Sequence, residues 1–537
     1  MIKIYLIMIL SLFFLGCNPN KIDWMSHQCP NYIMASIPNA QCALMEVPLD
    51  YNKPDGEKIE IFAYRVLGDN TEGKNHGQIV FLQGGPGGTG AVFASLFKEY
   101  RKKYPYFDFY SLDHRGVGNS IDLKCKNEDK LTTPKDFQTC VEELESKWGE
   151  KLKQFSATNA AKDLNSLFTG IKKGDTKQFI YAVSYGTYWA ERYLYFYPNK
   201  ISGVVLDSIA SINNTWMDDY NLSFFTVGNH FMEICEQDSI CKNKLSPYGR
   251  TPKIALDNFY KKVDDNISCD LGYGFSSNSW KSIFGASLKN YYSRVLIPSL
   301  LYRLHRCKDT DKAIINKYVG NMSSLGFSFK EWVDPESLNS DILYYNIVFS
   351  ELWKGNSLED IREIENNSLF LSGSMEPTYQ AYTNGNWKTY QDDGSFRKFP
   401  NNSKIPILML NGDLDPQTSL EMAYPSKEVF NKTNQEFIMF PQSSHGVIVN
   451  SLMNDLETSC GEIVIFNFFE HPTKKVDRSC MSDIQKISSS KDASFNVISS
   501  SYFFGTDDMW EGKLTKKKKI DKKMEEKIRK SSKFSFK

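Results

Sequence analysis

Phe179-Ile180-Tyr181-Ala182-Val183-Ser184-Tyr185-Gly186-Thr187 decides the fold. Its first five residues are apolar or aromatic and read as a buried strand, while Tyr188-Trp189-Ala190-Glu191-Arg192-Tyr193-Leu194 continues as an aromatic helix. A serine stands at the corner. A sharp strand-to-helix turn of this kind presents the serine hydroxyl at the sheet edge, and it needs small residues two positions to either side, because the two backbones nearly touch there. Those positions hold Ala182 and Gly186; alanine is one methyl larger than the usual glycine.

The flanking segments supply the sheet. An alternating strand is expected over 58–66 and a buried one over 78–82, which runs into Gln83-Gly84-Gly85-Pro86-Gly87-Gly88-Thr89-Gly90. This glycine cluster lacks the lysine of a phosphate-binding loop and the spacing of a dinucleotide fingerprint. It reads instead as bare backbone whose N–H groups can face a developing oxyanion. Strands are also expected over 107–112 and 201–206, the second closed by Asp207, with an intervening helix over 157–169 capped by Thr158 or Asn159. Asp113 and Arg115 read as a structural ion pair bracing the glycine loop. From 211 to 403 strand–helix alternation stops and aromatic-rich helical stretches take over, among them 222–236, 296–307 and 342–353. The sheet resumes over 404–410 and again over 436–440.

These patterns predict an α/β fold with a mostly parallel central sheet and a largely helical lid inserted between two of its strands. The expected divisions are a leader (1–17), a first core part (18–210), the lid (211–403), a second core part (404–490) and an extension with a lysine-rich, solvated tail (491–537). With 537 residues, 41% hydrophobic and 24% charged, the chain is long enough for two lobes. Lysine plus arginine balance aspartate plus glutamate at 64 each, which argues against a nucleic-acid partner.

Met1-Ile2-Lys3 followed by an apolar run to Leu15 is too short to span a bilayer and suits the core of a signal peptide. Phe14-Leu15-Gly16-Cys17 resembles a bacterial lipobox, which would leave Cys17 as a lipid-bearing first residue; ordinary secretion is the alternative. The ten other cysteines form an even set without a CxxC pair, as expected for disulfides formed after export. Sequence neighbours suggest the pairs Cys29–Cys42, Cys125–Cys140, Cys235–Cys241, Cys269–Cys307 and Cys460–Cys480. No metal or cofactor motif is present.

A serine hydroxyl needs an imidazole base, and the imidazole needs a carboxylate to fix its tautomer and steady its charge. Ser184, Asp415 and His445 each follow an apolar strand, which gathers them at the carboxyl edge of one sheet in the chain order of the α/β hydrolases. Of the seven histidines, His445 alone is given this setting. Asp207 competes with Asp415 for the acid. The oxyanion hole is expected from the Tyr185 N–H and one N–H of the Gly84-Gly85 turn.

With these residues assembled, the chain resembles the prolyl iminopeptidase-like serine exopeptidases, and among them the secreted tripeptidyl-aminopeptidase-like α/β hydrolases. The shared features are Cys42 through Val47-Pro48-Leu49-Asp50-Tyr51, the loop Gly84-Gly85-Pro86-Gly87, Asp113-x-Arg115-Gly116-x-Gly118-x-Ser120 and Ser184-Tyr185-Gly186-Thr187. The pair Cys235 and Cys241, Asp415-Pro416-x-Thr418, Ser444-His445-Gly446 and the pair Cys460 and Cys480 complete them. Gln83 stands where prolyl iminopeptidases carry histidine, and Ala182 replaces the first elbow glycine. The resemblance implies release of short N-terminal peptides or single residues through an acyl-enzyme, from peptides with a free N-terminus. Such an enzyme holds the substrate ammonium with a lid carboxylate, and the resemblance points to Glu351 in Phe349-Ser350-Glu351-Leu352-Trp353; its rival role is an ordinary helix-end glutamate. Two other functions stay open: an esterase or lipase on the same fold, and a catalytically silent binding or surface protein. Export is expected, with any membrane attachment through the lipid on Cys17.

Overall fold

The computed structural model describes residues 22–25, 27, 29–69, 75–126, 131–324, 338–391, 397–400, 402–514 and 522–533. The leader and Cys17 lie outside these residues. Eight strands form one sheet: β1 (Gln41–Pro48), β2 (Lys58–Val66), β3 (Gly77–Leu82), β4 (Phe107–Leu112), β5 (Gln178–Ser184), β6 (Gly203–Ile209), β7 (Ile407–Gly412) and β8 (Gln435–Phe440). Their order is β1-β2-β4-β3-β5-β6-β7-β8. β1 and β2 pair antiparallel, as do β2 and β4, and every later neighbour is parallel. This is the α/β-hydrolase fold.

The central strands are buried from end to end because helices cover both faces. Side chains alternate between two cores: Val80, Leu82, Ile180, Ala182, Val204, Leu206 and Met409 enter one, and Ile79, Phe81, Phe179, Tyr181, Val205 and Leu410 enter the other. Each fully buried side chain of this size contributes roughly 1.5 to 3 kcal/mol. The parallel strands all run the same way, so their carboxyl ends form one edge. Ser184 ends β5 there, and the loops after β7 and β8 bring Asp415 and His445 to it.

Between β6 and β7 the described residues carry nine α-helices, from Asn221–Gln237 to Glu376–Asn384, and no strand. Within this insertion Ser340 caps helix Asp341–Glu351, its hydroxyl accepting from the Leu343 N–H at 3.0 Å. The segment after Cys480 returns to the insertion. Helix Ser494–Phe503 packs Phe503 against Tyr318, the Arg303 Nε–H donates to the Met509 carbonyl at 3.0 Å, and Trp510 is buried.

Several local expectations are corrected. Arg115 does not pair with Asp113: its Nη2 and Nε donate to the Asp163 carboxylate at 2.7 and 2.8 Å, and its remaining donors reach the carbonyls of Pro48, Leu49 and Gln154. Asp113 braces the glycine loop without Arg115, accepting from the Gly90 N–H at 2.7 Å and the Thr89 hydroxyl at 3.0 Å. The helix that begins at Ala157 runs to Ile171 and is capped by Ser156, whose hydroxyl accepts the Asn159 N–H; Thr158 and Asn159 are already inside its first turn. Part of the lysine-rich tail is ordered as helix Lys522–Lys533, with Ile528 buried. The five disulfides join the cysteines in the expected pairs and mark an exported protein.

Candidate active site

β5 turns into helix Tyr185–Phe196 within one residue, and Ser184 absorbs the turn at φ 58° and ψ −133°. A side-chain-bearing residue adopts such a conformation only where its surroundings enforce it. The enforcement is visible on both sides. The Ser184 carbonyl accepts the Thr187 hydroxyl at 2.6 Å, and Thr187 in turn accepts the Ala210 N–H from the end of β6 at 2.8 Å. A Cβ on Gly186 would stand 2.5 Å from the Leu82 carbonyl oxygen, and one on Gly84 would stand 2.6 Å from the Ser184 Cβ. Both glycines are therefore required by close backbone approach. Ala182 faces the core and meets no such limit, so the elbow tolerates its methyl.

Asp415 presents both carboxylate oxygens to His445 Nδ1, at 3.0 and 2.9 Å. The carboxylate is itself fixed: Oδ1 accepts the N–H groups of Gln417 and Thr418, and Oδ2 accepts the Thr418 hydroxyl at 2.8 Å. That hydroxyl also lies 3.2 Å from His445 Nδ1. Asn411, at the end of β7, ties this loop to β6 by donating from Nδ2 to the Thr418 carbonyl and accepting the Ile209 N–H. His445 Nε2 is buried and has no hydrogen-bond partner among the described residues. It is the nitrogen available for proton transfer.

Asp207 lies inside β6, two residues before its end, and does not reach the imidazole nitrogens through a hydrogen bond. Its carboxylate accepts the Tyr181 hydroxyl and the N–H groups of Val447 and Ile448, just beyond His445, at 2.8 to 3.0 Å. Burial raises its pKa to about 6 against these donors. Asp207 thus holds the backbone that carries the histidine.

The Gly84 N–H is occupied by its neighbour, Gln83 Oε1, at 2.9 Å. Gly85 and Tyr185, the other two residues expected to supply such N–H groups, both border the cavity beside Ser184. A cavity of about 30 Å³ adjoins Ser184, walled by Gly85, Tyr188, Thr215, Met217, Tyr220 and Leu352 among others. That is room for about one or two water molecules.

Glu351 ends helix Asp341–Glu351 and does not line that cavity; it stands behind Tyr188. It is buried, accepting the Tyr188 hydroxyl at 2.8 Å, the Ala157 N–H at 3.0 Å and the Tyr390 hydroxyl. Burial pushes its pKa up, and these hydrogen bonds hold it back. None of the three donors is a cation; the positive charge that acts on the carboxylate is that of Arg192.

Sequence reasoning missed His114. It too follows a strand at this edge, against the setting given to His445 alone, and its Nε2 lies 3.4 Å from the Tyr185 hydroxyl. Burial lowers its pKa to about 3, so it stays neutral. It also missed the Thr418 hydroxyl as a site group, although Asp415-Pro416-x-Thr418 carried the signal. No cluster of three or more metal-ligating side chains occurs among the described residues.

A strained serine at a strand–helix corner, an imidazole held by a buried carboxylate and a glycine turn beside them, on an α/β-hydrolase fold, are the groups that serine hydrolysis needs. The alpha/beta hydrolase fold family matches residues 78–335, from β3 through the elbow into the insertion; Asp415 and His445 lie beyond that match. Among curated proteins, the chain is similar to the tripeptidyl aminopeptidase of Streptomyces lividans, 29% identical over 199 residues, covering 32% of this chain and 35% of that protein. It is similar to serine protease Hip1 of Mycobacterium tuberculosis, 24% identical over 279 residues, 46% of this chain and 51% of that one. It is also similar to proline iminopeptidase aneH of Aspergillus aculeatus, 29% identical over 195 residues, 34% of this chain and 39% of that one. The chain thus spans between about a third and a half of the length of these relatives.

Proposed function

We propose that this serine hydrolase is an exopeptidase that releases short N-terminal peptides or single residues. The observation that carries it is Glu351. The buried carboxylate takes hydrogen bonds from three neutral groups, and the nearby charge of Arg192 offsets only part of the cost of its burial, since its pKa is still raised. A substrate ammonium entering beside Tyr188 would add a second cation at this carboxylate and fix the distance from the N-terminus to Ser184. The peptidase names of the similar proteins support the same reading.

In this scheme the Ser184 Oγ attacks the scissile carbonyl and its proton passes to His445 Nε2, while Asp415 steadies the imidazolium. The oxyanion accepts the N–H groups of Gly85 and Tyr185. The proton then goes to the leaving amine, and water repeats the sequence on the acyl-enzyme. A second reading rests on the cavity wall, whose side chains carry no charge; an uncharged acyl pocket also suits an esterase.

Paired fluorogenic peptides, identical except for a free or acetylated N-terminus, decide between them when assayed beside a simple ester with wild type and Ser184→Ala. Cleavage of the free-amine peptide alone, lost in the variant, is the expected outcome. Hydrolysis of the ester alone would move the protein to the esterases. For attachment, we read Phe14-Leu15-Gly16-Cys17 as the end of a lipoprotein leader. The mass of the mature N-terminal peptide, with or without acyl chains on Cys17, tests it.

A further inference from the structure

The short segment 338–340, which enters helix Asp341–Glu351, is stitched to the loops bordering the catalytic serine. Asn339 Oδ1 accepts the Thr89 N–H at 3.0 Å, and the Ser340 N–H donates to the Gly87 carbonyl at 2.9 Å. The Gly118 N–H donates to the Leu338 carbonyl at 3.0 Å, and the Ser340 hydroxyl to the Leu123 carbonyl at 2.9 Å. The approach is close: a Cβ on Gly87, at φ +89°, would stand 2.3 Å from the Ser340 carbonyl oxygen.

These bonds begin where the oxyanion turn ends. The turn is closed by the Gly88 N–H donating to the Gly84 carbonyl at 3.0 Å, and Thr89 is the next residue. From the core side the Thr89 hydroxyl and the Gly90 N–H are held by Asp113; from the insertion side the Thr89 N–H is held by Asn339. The far end of the same helix is fastened through Glu351 to Tyr188, one turn into the elbow helix. The helix therefore spans the two elements that carry the Gly85 and Tyr185 N–H groups.

We propose that Asn339 is a positioning residue for the oxyanion hole: it locks the 84–90 loop against the insertion, so that the Gly85 N–H keeps its distance from the Tyr185 N–H. Oxyanion donors act only when aimed in advance at the developing charge. A backbone N–H at a buried residue that loses its acceptor turns to find another. The inference rests on the serine-hydrolase reading but not on the choice between peptide and ester, since both pass through the same oxyanion.

The test uses Asn339→Ala, which removes the acceptor, and Asn339→Asp, which retains it, with melting temperature as the check on folding. In Asn339→Ala, kcat is expected to fall about tenfold or more for whichever of p-nitrophenyl butyrate and a free-amine peptide is a substrate, a fraction of the loss from deleting a whole donor. KM should stay within about twofold, because the oxyanion forms only in the transition state. Affinity for a peptidyl trifluoromethyl ketone, which adds to Ser184 as a tetrahedral oxyanion, should drop by the same factor as kcat. Asn339→Asp should recover most of both. An unchanged kcat in a folded Asn339→Ala, or an equal loss of product and ketone binding, overturns the proposal. If wild type turns over neither substrate, the proposed function fails, and the lock is read by amide hydrogen exchange across 84–90 instead. Exchange there rises in Asn339→Ala; unchanged exchange overturns the lock itself.

Discussion

Asp415 meets His445 Nδ1 with both carboxylate oxygens, at 3.0 and 2.9 Å. Asparagine at this position keeps the shape but favours the wrong imidazole tautomer, so Asp415→Asn is expected to lower kcat by about 10⁴. Asp207→Asn should leave kcat within about tenfold and cost stability instead, roughly 1 to 3 kcal/mol for disturbing buried hydrogen bonds to Val447 and Ile448. Steady-state kinetics and denaturant melts on both variants check the division, and the reverse pattern would exchange the two roles. The Asp207 pKa, raised to about 6 by burial, adds a sign. The folded state binds that proton more tightly than the unfolded chain, whose aspartate titrates near about 4. Its contribution is therefore most favourable below about pH 4 and is lost as pH rises through about 6. Relative to Asp207→Asn, wild type should gain stability as pH falls through that window.

Gly186→Ala should inactivate the enzyme while most of the fold survives. The added methyl would stand 2.5 Å from the Leu82 carbonyl oxygen and 3.0 Å from that of Gln83. Both are backbone atoms of the strand that leads into the oxyanion turn, so the elbow helix must move away from it. We expect a loss of roughly 1 to 3 kcal/mol, as for overpacked cores. Labelling of Ser184 by a fluorophosphonate should fall far more than the melting temperature does, and normal labelling would count against the close-approach account.

Glu351→Gln separates the ammonium role from a helix-end role. If the carboxylate pairs with the substrate amine, kcat/KM on free-amine peptides should fall by an amount worth roughly 3 to 5 kcal/mol, as for other broken buried pairs. Turnover of the acetylated peptide or the ester should barely change. Because burial raises the pKa of Glu351, the acidic limb of the free-amine profile should lie above the ordinary glutamate range and vanish in the variant. Unchanged kinetics on free-amine peptides would sink the assignment.

His230, on helix Asn221–Gln237 of the insertion, faces the core carboxylate of Asp413 at 3.7 Å and Glu233 of its own helix at 3.7 Å. Its pKa is raised, chiefly by its hydrogen bond to Asp413. The group is partly exposed, so screening keeps its contribution to a few tenths of a kcal/mol. The sign follows from the raised value: the contribution is present below the unfolded histidine pKa of about 6.5 and is lost as pH climbs through the higher folded value. The melting-temperature gap between wild type and His230→Gln should accordingly narrow from about pH 6 to pH 8. A gap that widens would refute the pairing.

Much of the site was legible because its parts are local. The apolar run before Ser184, the glycines of the 84–90 loop and the strand-end positions of Asp415 and His445 are patterns within a few residues. Cysteines that neighbour one another in sequence formed the expected bridges, over separations from 6 residues for Cys235–Cys241 to 38 for Cys269–Cys307. Other features were not legible because they join distant segments. The Arg115 partner is Asp163, 48 residues away, and only the layering of that helix on the sheet brings the two together. Ser156 won the helix cap over Thr158 and Asn159 because packing against the sheet started the helix at Ala157.

By itself, then, the amino-acid order determined the alternation of strands and helices, the elbow with its required Gly186, and the strand-end settings of Ser184 and His445. Period-two and helical patterns, turn residues and backbone approach act over short chain distances, so they are written in short stretches. Only the tertiary structure decided which aspartate serves the imidazole, that Gln83 occupies the Gly84 N–H, that Glu351 stands behind Tyr188, and that the insertion is bolted to the oxyanion loop through Asn339. Each of those depends on hydrogen bonds between segments far apart in the chain, whose partners are chosen by how the layers pack.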